Sequence, residues 1–455
     1  MQALNVVILA AGKGTRMRSK LPKVLHQLGG KPLLQHAVDT ARELQAQAVH
    51  VVIGHGADAI RAAFAGQQLD FVLQEEQRGT GHAVQQALPA LNKEAMALVL
   101  YGDVPLIRAS TLRELLSLPD ADSLAVLTCS VENPHGLGRI VRDADGNITA
   151  IVEHKDATEE QRRINEINSG IMAVPVARLH EWLPQLKANN AQGEYYLTDL
   201  VELALKAGCK VHTLCSDDEV EIMGVNDRAQ LAELERHYQK RRAHELMLSG
   251  VTVRDPARLD IRGELQCAND VELDVNVILE GSVSLGENVK IGPNCVLKNC
   301  TIGAGTEIEA NSVLEDAVVG KDCHIGPFAR IRPGTQLDDR AKIGNFVELK
   351  KAHIGFGSKV NHLSYVGDSE LGSNVNVGAG TITCNYDGVN KSKTLIGNGV
   401  FIGSNTALVA PVNIADGATI GAGSVITQDV QPNQLAIARG RQRNIDGWKR
   451  PQKRS

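Results

Sequence analysis

Aliphatic side chains return every six residues along the second half of the chain, often followed by glycine. The series runs Ile325, Ile331, Leu337, Ile343 and Leu349, then after a five-residue step Ile354, Val360 and Val366, and later Ile396, Ile402, Leu408, Ile414, Ile420 and Ile426. Period six belongs neither to an α-helix nor to an ordinary alternating strand; it is the hexapeptide repeat of a parallel β-helix. Each hexad supplies one side of a three-sided coil and turns its aliphatic residue into the shaft. Glycine usage agrees, with 22 in residues 278–427 against 21 in the other 305, and aromatics make up only 3% of the chain. Between Val377 and Ile396 the period fails, so residues 383–394 (TCNYDGVNKSKT) are expected to loop out of the shaft. Loops on a rigid scaffold often carry binding.

The first 225 or so residues read differently. Short β-branched runs (Val6–Leu9, His50–Ile53, Ala97–Leu100) alternate with helix-period segments (33–44, 81–88, 110–118), which predicts a mainly parallel sheet covered by helices. From Asn226 to Leu248 the chain is charged and helix-favouring, with Leu231, Leu234, Tyr238 and Leu246 near one stripe and Gly250 as a stop, so a connecting helix is expected.

The first strand leads into LAAGKGTRM (9–17) and then Leu21-Pro22-Lys23. A glycine-rich turn after a strand exposes backbone N–H groups to phosphate oxygens, and Arg16 and Lys23 add positive charge where a triphosphate would sit. Met17 occupies the third glycine position of the dinucleotide fingerprint and no GxxxxGK[ST] is present, so NAD binding and a P-loop ATPase fit poorly. Asp103, in YGDVPL, lies at the carboxyl end of an apolar strand, where open α/β sheets bind ligands and where a carboxylate suits Mg²⁺. QEEQRGTGHA (74–83) could offer amide edges to a base, or simply be a loop.

Charge and cysteine content narrow the partners. With 48 Lys and Arg against 53 Asp and Glu, the net charge of −5 favours small molecules over nucleic acid or a membrane surface. Eight cysteines without a CxxC pair read as reduced thiols, and the most apolar stretch, Val6–Ala11, is too short to span a bilayer and has no basic segment before it. The expected location is the cytoplasm.

The hexad register also serves as a ruler. Arg332 and Lys350 lie 18 residues apart, each just after an aliphatic position, so they should stack on successive coils about 4.8 Å apart. Two unscreened cations would repel; an anion such as a sugar phosphate would relieve this, or the side chains could splay into solvent. His362 and Ala379 each follow an inward residue by two and should be neighbours, which puts His362 near the loop. A histidine can take the proton of an ammonium that becomes a nucleophile.

Taken together, LAAGKGTRM with LPK, QEEQRGTGHA, YGDVPL, GRI (138–140), EHKDA (153–157), EINSGI (166–171), NAQGEYYLTD and GVN (224–226) resemble the sugar-1-phosphate uridylyltransferases. With the hexapeptide half, the whole chain resembles the bacterial bifunctional N-acetylglucosamine-1-phosphate uridylyltransferase/glucosamine-1-phosphate N-acetyltransferase family. That resemblance implies a Rossmann-like α/β nucleotidyltransferase domain over 1–228, a linker helix over 229–249, and a left-handed parallel β-helix acetyltransferase domain with a basic tail over 250–455. It implies that Leu9, Ala10, Ala11, Gly12, Lys23, Gln74, Gly79, Thr80, Tyr101, Gly102 and Asp103 contact the nucleotide sugar. Gly138, Glu153 and Asn168 would hold the sugar, and Asp103 and Asn226 would ligate Mg²⁺. Arg16 and Lys23 would neutralise phosphate charge as N-acetylglucosamine-1-phosphate attacks UTP. In the second half NHLSYVGD (361–368) resembles the family's catalytic segment, with His362 as proton acceptor. Arg332, Lys350, Tyr365 and Asn376 would hold glucosamine-1-phosphate, and Ala379, Asn385, Tyr386, Ser404, Ala422 and Arg439 would contact acetyl-CoA. These positions occupy more than one face of the prism, and the family implies a homotrimer with sites between subunits.

Two other readings remain open on sequence alone. The β-helix could be purely structural or regulatory beside a working nucleotidyltransferase, or the chain could be a non-catalytic nucleotide-sugar sensor. The tail residues Arg441, Arg443, Lys449, Arg450, Lys453 and Arg454, against the one acid Asp446, form either a solvated terminus or an arm reaching CoA phosphates on a neighbouring subunit.

Overall fold

The computed structural model describes residues 3–453, so Arg454 of the basic tail lies outside the described residues. The chain divides into two compact units, Met1–Tyr238 and Gln239–Ser455.

The first unit is built on a nine-stranded sheet. Its strands are β1 (Leu4–Ala10), β2 (Ala48–Ile53), β3 (Asp70–Leu73), β4 (Met96–Tyr101), β5 (Ser123–Ser130), β6 (Arg139–Arg142), β7 (Ile148–Val152), β8 (Glu166–Pro175) and β9 (Lys210–Ser216). The order is β9-β5-β8-β4-β1-β2-β3, with the β6–β7 hairpin attached to β8. Pairing is parallel except along β8, which runs antiparallel to β4, β5 and β6, and within the antiparallel β6–β7 hairpin. Successive side chains on a strand point to opposite faces, and here both faces are covered. Val7, Leu9, Val52 and Val99 enter one core while Val6, Ile8, Val51 and Leu98 enter the other. This is why the strands read as unbroken apolar runs.

The expected connecting helix spans Arg228–Leu248. Its apolar residues do not form the single stripe expected. Leu234 and Tyr238 are buried with the core of the first unit, where Tyr238 lies over Gly29 and edge-on to His36 at 5.6 Å. Ala243 and Leu246 are buried with the core of the second, where the Gln239 amide bonds both the N–H and the C=O of Ile261 at 2.8 Å. Positions 234 and 238, and then 239, 243 and 246, are two helical stripes rotated by roughly 130° at 3.6 residues per turn.

In the second unit the strands wind as parallel coils, the arrangement of the left-handed β-helix of hexapeptide proteins. One face is an eleven-stranded sheet; the other two are joined in a fifteen-stranded sheet. Paired inward residues Ile308, Ile325, Ile343, Val360 and Val377 advance 17 or 18 residues per coil, and each is 4% exposed or less. Burying one such side chain contributes about 1.5–3 kcal/mol, so the ladder is the main source of the shaft's stability. Coils approach closely: a Cβ at Gly344 would lie 1.9 Å from the Asn361 carbonyl oxygen. The excursion is shorter than the sequence suggested. Ile382–Cys384 and Thr394–Ile396 stay in the coil, with Thr383 and Thr394 buried, and only residues 385–393 leave it.

The corner between the first and second faces has an unexpected composition. Its left-handed positions are Asn276, Asn294 and Asn311, then Phe328, Phe346 and Leu363, then Gly380, Asn405 and Gly423. Asparagine and glycine adopt this conformation readily, whereas bulky side chains there are strained by about 1–2 kcal/mol each. The two rings stack at 5.3 Å and all three apolar side chains are exposed.

Candidate active sites

A cleft of about 630 Å³ opens at the carboxyl ends of β1 and β4. It is lined by Leu9, Ala10, Ala11, Gly12, Lys23, Gln74, Gly79, Thr80, Tyr101 and Asp103, all expected nucleotide-sugar positions. The sequence reading had not singled out Lys13, Glu76, Gln77 and Glu194, which also line it although they fall within the quoted motifs. Gly102 is not among the lining residues; it is packed against Leu34, Ala10 and Val24, where a Cβ would approach within 3.2–3.3 Å. Gly79 holds φ +110°, and a Cβ there would meet the Tyr195 carbonyl oxygen at 2.5 Å, so only glycine fits this turn. Gln74 is buried, and its Nε2 donates to the Gly79 carbonyl at 3.2 Å and lies 3.0 Å from His82 Nδ1. The Thr80 hydroxyl accepts from the Leu197 N–H at 3.1 Å.

The two expected magnesium ligands come together through the backbone: the Val225 N–H donates to the Asp103 carbonyl at 2.9 Å, bringing Asn226 beside it. Each faces a cation. Lys23 is ion-paired with the Asp103 carboxylate, and Arg16 donates to Asn226 Oδ1 at 2.9 Å. The charges expected on phosphate are therefore held by the two residues expected to ligate the metal.

Gly138, Glu153 and Asn168 form a second cluster. A Cβ at Gly138 would touch Glu153 Oε1 at 3.3 Å, the Asn168 N–H donates to the Gly138 carbonyl at 2.9 Å, and Asn168 Oδ1 accepts from Gly170 N–H at 3.0 Å. Thr198, which sequence reasoning did not single out, donates to Glu153 at 3.4 Å. Burial raises the Glu153 carboxyl above its ordinary range. Burial, followed by the charges of Asp103 and Glu153, likewise raises the Tyr101 phenol, whose ring lies against Gly170.

On the β-helix, His362 ends a first-face strand (Lys359–His362) at the corner before the second face. The expected neighbours His362 and Ala379 occupy equivalent corner positions, and the column continues through Ser404: Gly380 N–H bonds the His362 carbonyl, Asn405 N–H that of Ala379, and Gly423 N–H that of Ser404. Ala422 follows, and Arg439 Nη1 donates to its carbonyl at 2.7 Å. Asn385 and Tyr386 leave from the opposite edge of the second face, where the Asn385 amide bonds Asp368. The expectation that His362 sits close to the loop's exit is therefore corrected: a face separates them.

Arg332, Lys350 and Tyr365 lie on the second face and Asn376 on the first, so the expected sugar-phosphate residues wrap the corner that carries His362. The expectation of two unscreened cations also needs revision. Arg332 is paired with Glu348 at 2.7 Å, which raises its already high pKa. Lys350 instead faces Lys391 of the excursion and Arg332, and these cations lower its ammonium pKa. The repulsion thus falls mainly between Lys350 and the loop, which spacing in the coil could not reveal.

Residues 6–250 match the MobA-like NTP transferase domain family, 261–338 the GMPPB C-terminal domain, and 393–428 the bacterial transferase hexapeptide family with six repeats. Fold and sites together define a nucleotidyltransferase domain joined to a hexapeptide-repeat transferase domain. The chain is 60% identical over 453 residues to Bifunctional protein GlmU of Marinobacter nauticus, covering 100% of both. It is 59% identical to that of Cellvibrio japonicus, covering 99% of this chain and 100% of the relative, and 58% identical to that of Pseudomonas putida strain GB-1, covering 99% of both. The chain belongs to the GlmU family of bifunctional proteins.

Proposed function

We propose that in this bifunctional enzyme of UDP-N-acetylglucosamine synthesis the two chemistries divide between the two units. The β-helix transfers the acetyl group of acetyl-CoA to the amine of glucosamine-1-phosphate. The sheet unit then joins N-acetylglucosamine-1-phosphate to the α-phosphate of UTP and releases pyrophosphate. The observation that carries the reading is a cleft lined by ten of the expected nucleotide-sugar residues, Asp103 among them, with the neighbour of Asn226, Val225, hydrogen-bonded to the Asp103 backbone.

Asp103 and Asn226 supply hard oxygen donors and fit Mg²⁺, an ion that binds through one or two protein oxygens and fills its shell with phosphate oxygens and water. Bound there, Mg²⁺ would neutralise phosphate charge as the sugar-phosphate oxygen displaces pyrophosphate in line. Lys23 and Arg16 exchange Asp103 and Asn226 for phosphate oxygens, so the triphosphate enters a site whose cations are already oriented. Gly138, Glu153 and Asn168 hold the sugar beside Tyr101.

In the β-helix, Arg332, Lys350, Tyr365 and Asn376 hold the amino-sugar phosphate at the corner. His362 takes the proton as the amine nitrogen bonds the thioester carbonyl carbon; the C–S bond breaks and the same proton passes to the departing sulfur, so that CoA leaves as the thiol and His362 returns to its neutral form. Ala379, Ser404, Ala422 and Arg439 line one edge for CoA, while Asn385 and Tyr386 emerge from another. This separation supports a homotrimer in which a neighbour completes each site, and the strained, exposed ridge Phe328–Phe346–Leu363 beside His362 supplies apolar surface for such an assembly. The location proposed is the cytoplasm; among the described residues no helix is long and apolar enough to cross a membrane.

The test is a pair of variants. His362→Ala should abolish acetyl transfer from acetyl-CoA while pyrophosphate release from UTP continues, and Asp103→Ala should do the reverse. Loss of both activities in either folded variant would end the division of labour.

A further inference from the structure

His362 is exposed, and a free surface imidazole rotates and exchanges tautomers. Its backbone is pinned: the carbonyl accepts from the buried Ser364 hydroxyl at 2.8 Å and from Gly380 N–H at 3.2 Å. Its ring has one side-chain partner, Asn345 Oδ1, 3.0 Å from Nδ1. Asn345 is the register partner of His362 on the preceding coil, and the strand Lys342–Asn345 is extended two residues beyond the inward Ile343 to reach it. Gly344, confined by the Asn361 carbonyl, packs the two strands closely enough for this bond.

We infer that Asn345 is a positioning residue for acetyl transfer, whose amide oxygen holds the proton on Nδ1 of His362 and leaves the Nε2 lone pair free for the substrate ammonium. An amide oxygen can only accept, so Nδ1 must donate and Nε2 must be the base. Because Asn345 is an uncharged amide, it orients the ring by a hydrogen bond alone. The charged side chains on the strands packed against the ring are Lys342 and Lys359; Asn376 and Val377 complete the neighbouring strand, and no carboxylate lies on any of them.

The inference rests on His362 being the base, and the experiment separates the two. Three full-length variants, His362→Asn, Asn345→Leu and Asn345→Asp, are assayed for acetyl transfer between pH 5.5 and 9, with the thermal unfolding transition of the β-helix unit as the folding control. Asn345→Leu is expected to lower kcat about tenfold or more, a fraction of what a general base supplies, with little change in KM for glucosamine-1-phosphate. Asn345→Asp is expected to recover most of the rate at high pH, with the acidic limb of the kcat profile displaced upward, because a carboxylate stabilises the imidazolium. Wild-type kcat in Asn345→Leu, or an unmoved acidic limb in Asn345→Asp, overturns the inference while leaving His362 as the base. Full acetyl transfer by His362→Asn overturns the parent reading.

Discussion

Lys23 and Asp103, 80 residues apart in sequence, form a part-buried ion pair at the mouth of the nucleotide cleft. A residue expected on phosphate and one expected on metal thus neutralise each other, while Arg16, the other expected phosphate cation, is hydrogen-bonded to the uncharged Asn226 amide.

Lys23→Met should therefore lower kcat/KM for uridylyl transfer by about 10²-fold, the scale of losing one preorganised donor to developing oxygen charge. Acetyl transfer should be unaffected. Pyrophosphate release and CoA release measured on the same preparation check both statements.

Burial, with the charges of Glu202 and Asp156 adding to it, pushes the Asp199 carboxyl up to about 6. A carboxyl held above its unfolded value of 3.8 keeps its proton longer in the folded state. Its contribution is favourable to folding at low pH and is lost as pH rises through the window from about 4 to about 6. Asp199→Asn should raise the Tm of the first unit at pH 7.5 by about 2 °C or more, and the gain should vanish by pH 4. A gain that persists at pH 4 would point to another cause.

At the corner of the β-helix, Phe346→Asn replaces a strained ring by the residue found at the equivalent turns Asn294 and Asn311. The variant should keep or gain thermal stability as an isolated subunit, sediment as a smaller species, and lose acetyl transfer with its assembly. Sedimentation equilibrium measured beside the two activities checks this; an unchanged mass would remove the ridge from the interface.

Ile343 is 1% exposed in the inward ladder. Ile343→Ala should destabilise the β-helix by about 2–5 kcal/mol, seen as a lowered unfolding transition for that unit, with uridylyl transfer kept until the coil melts.

The shaft was legible because every coil repeats the same demand for an aliphatic residue, so period and glycine content together identify it. The strands of the first unit were legible for a related reason: Val6 to Ala10 feed two cores, leaving no polar alternation to interpret. Pairings set by tertiary approach were not legible. Nothing local joins Arg332 to Glu348 rather than to solvent, and the approach of Lys391 to Lys350 depends on how the excursion folds back. The helix 228–248 was misread as one stripe because a pattern count does not distinguish one wide apolar face from two faces serving different cores. The ridge of Phe328, Phe346 and Leu363 escaped notice because a turn position looks like ordinary surface until its φ is known.

The excursion at 385–393 begins after one rung closes, with Ile382–Cys384 paired to Ala407–Val409, and ends before the next opens, with Thr394–Ile396 paired to Val412–Ile414. The spiral thus hosts a guest segment without surrendering a hydrogen-bonded step. Variation in that segment's length or chemistry can be accommodated while the scaffold beneath winds on unchanged.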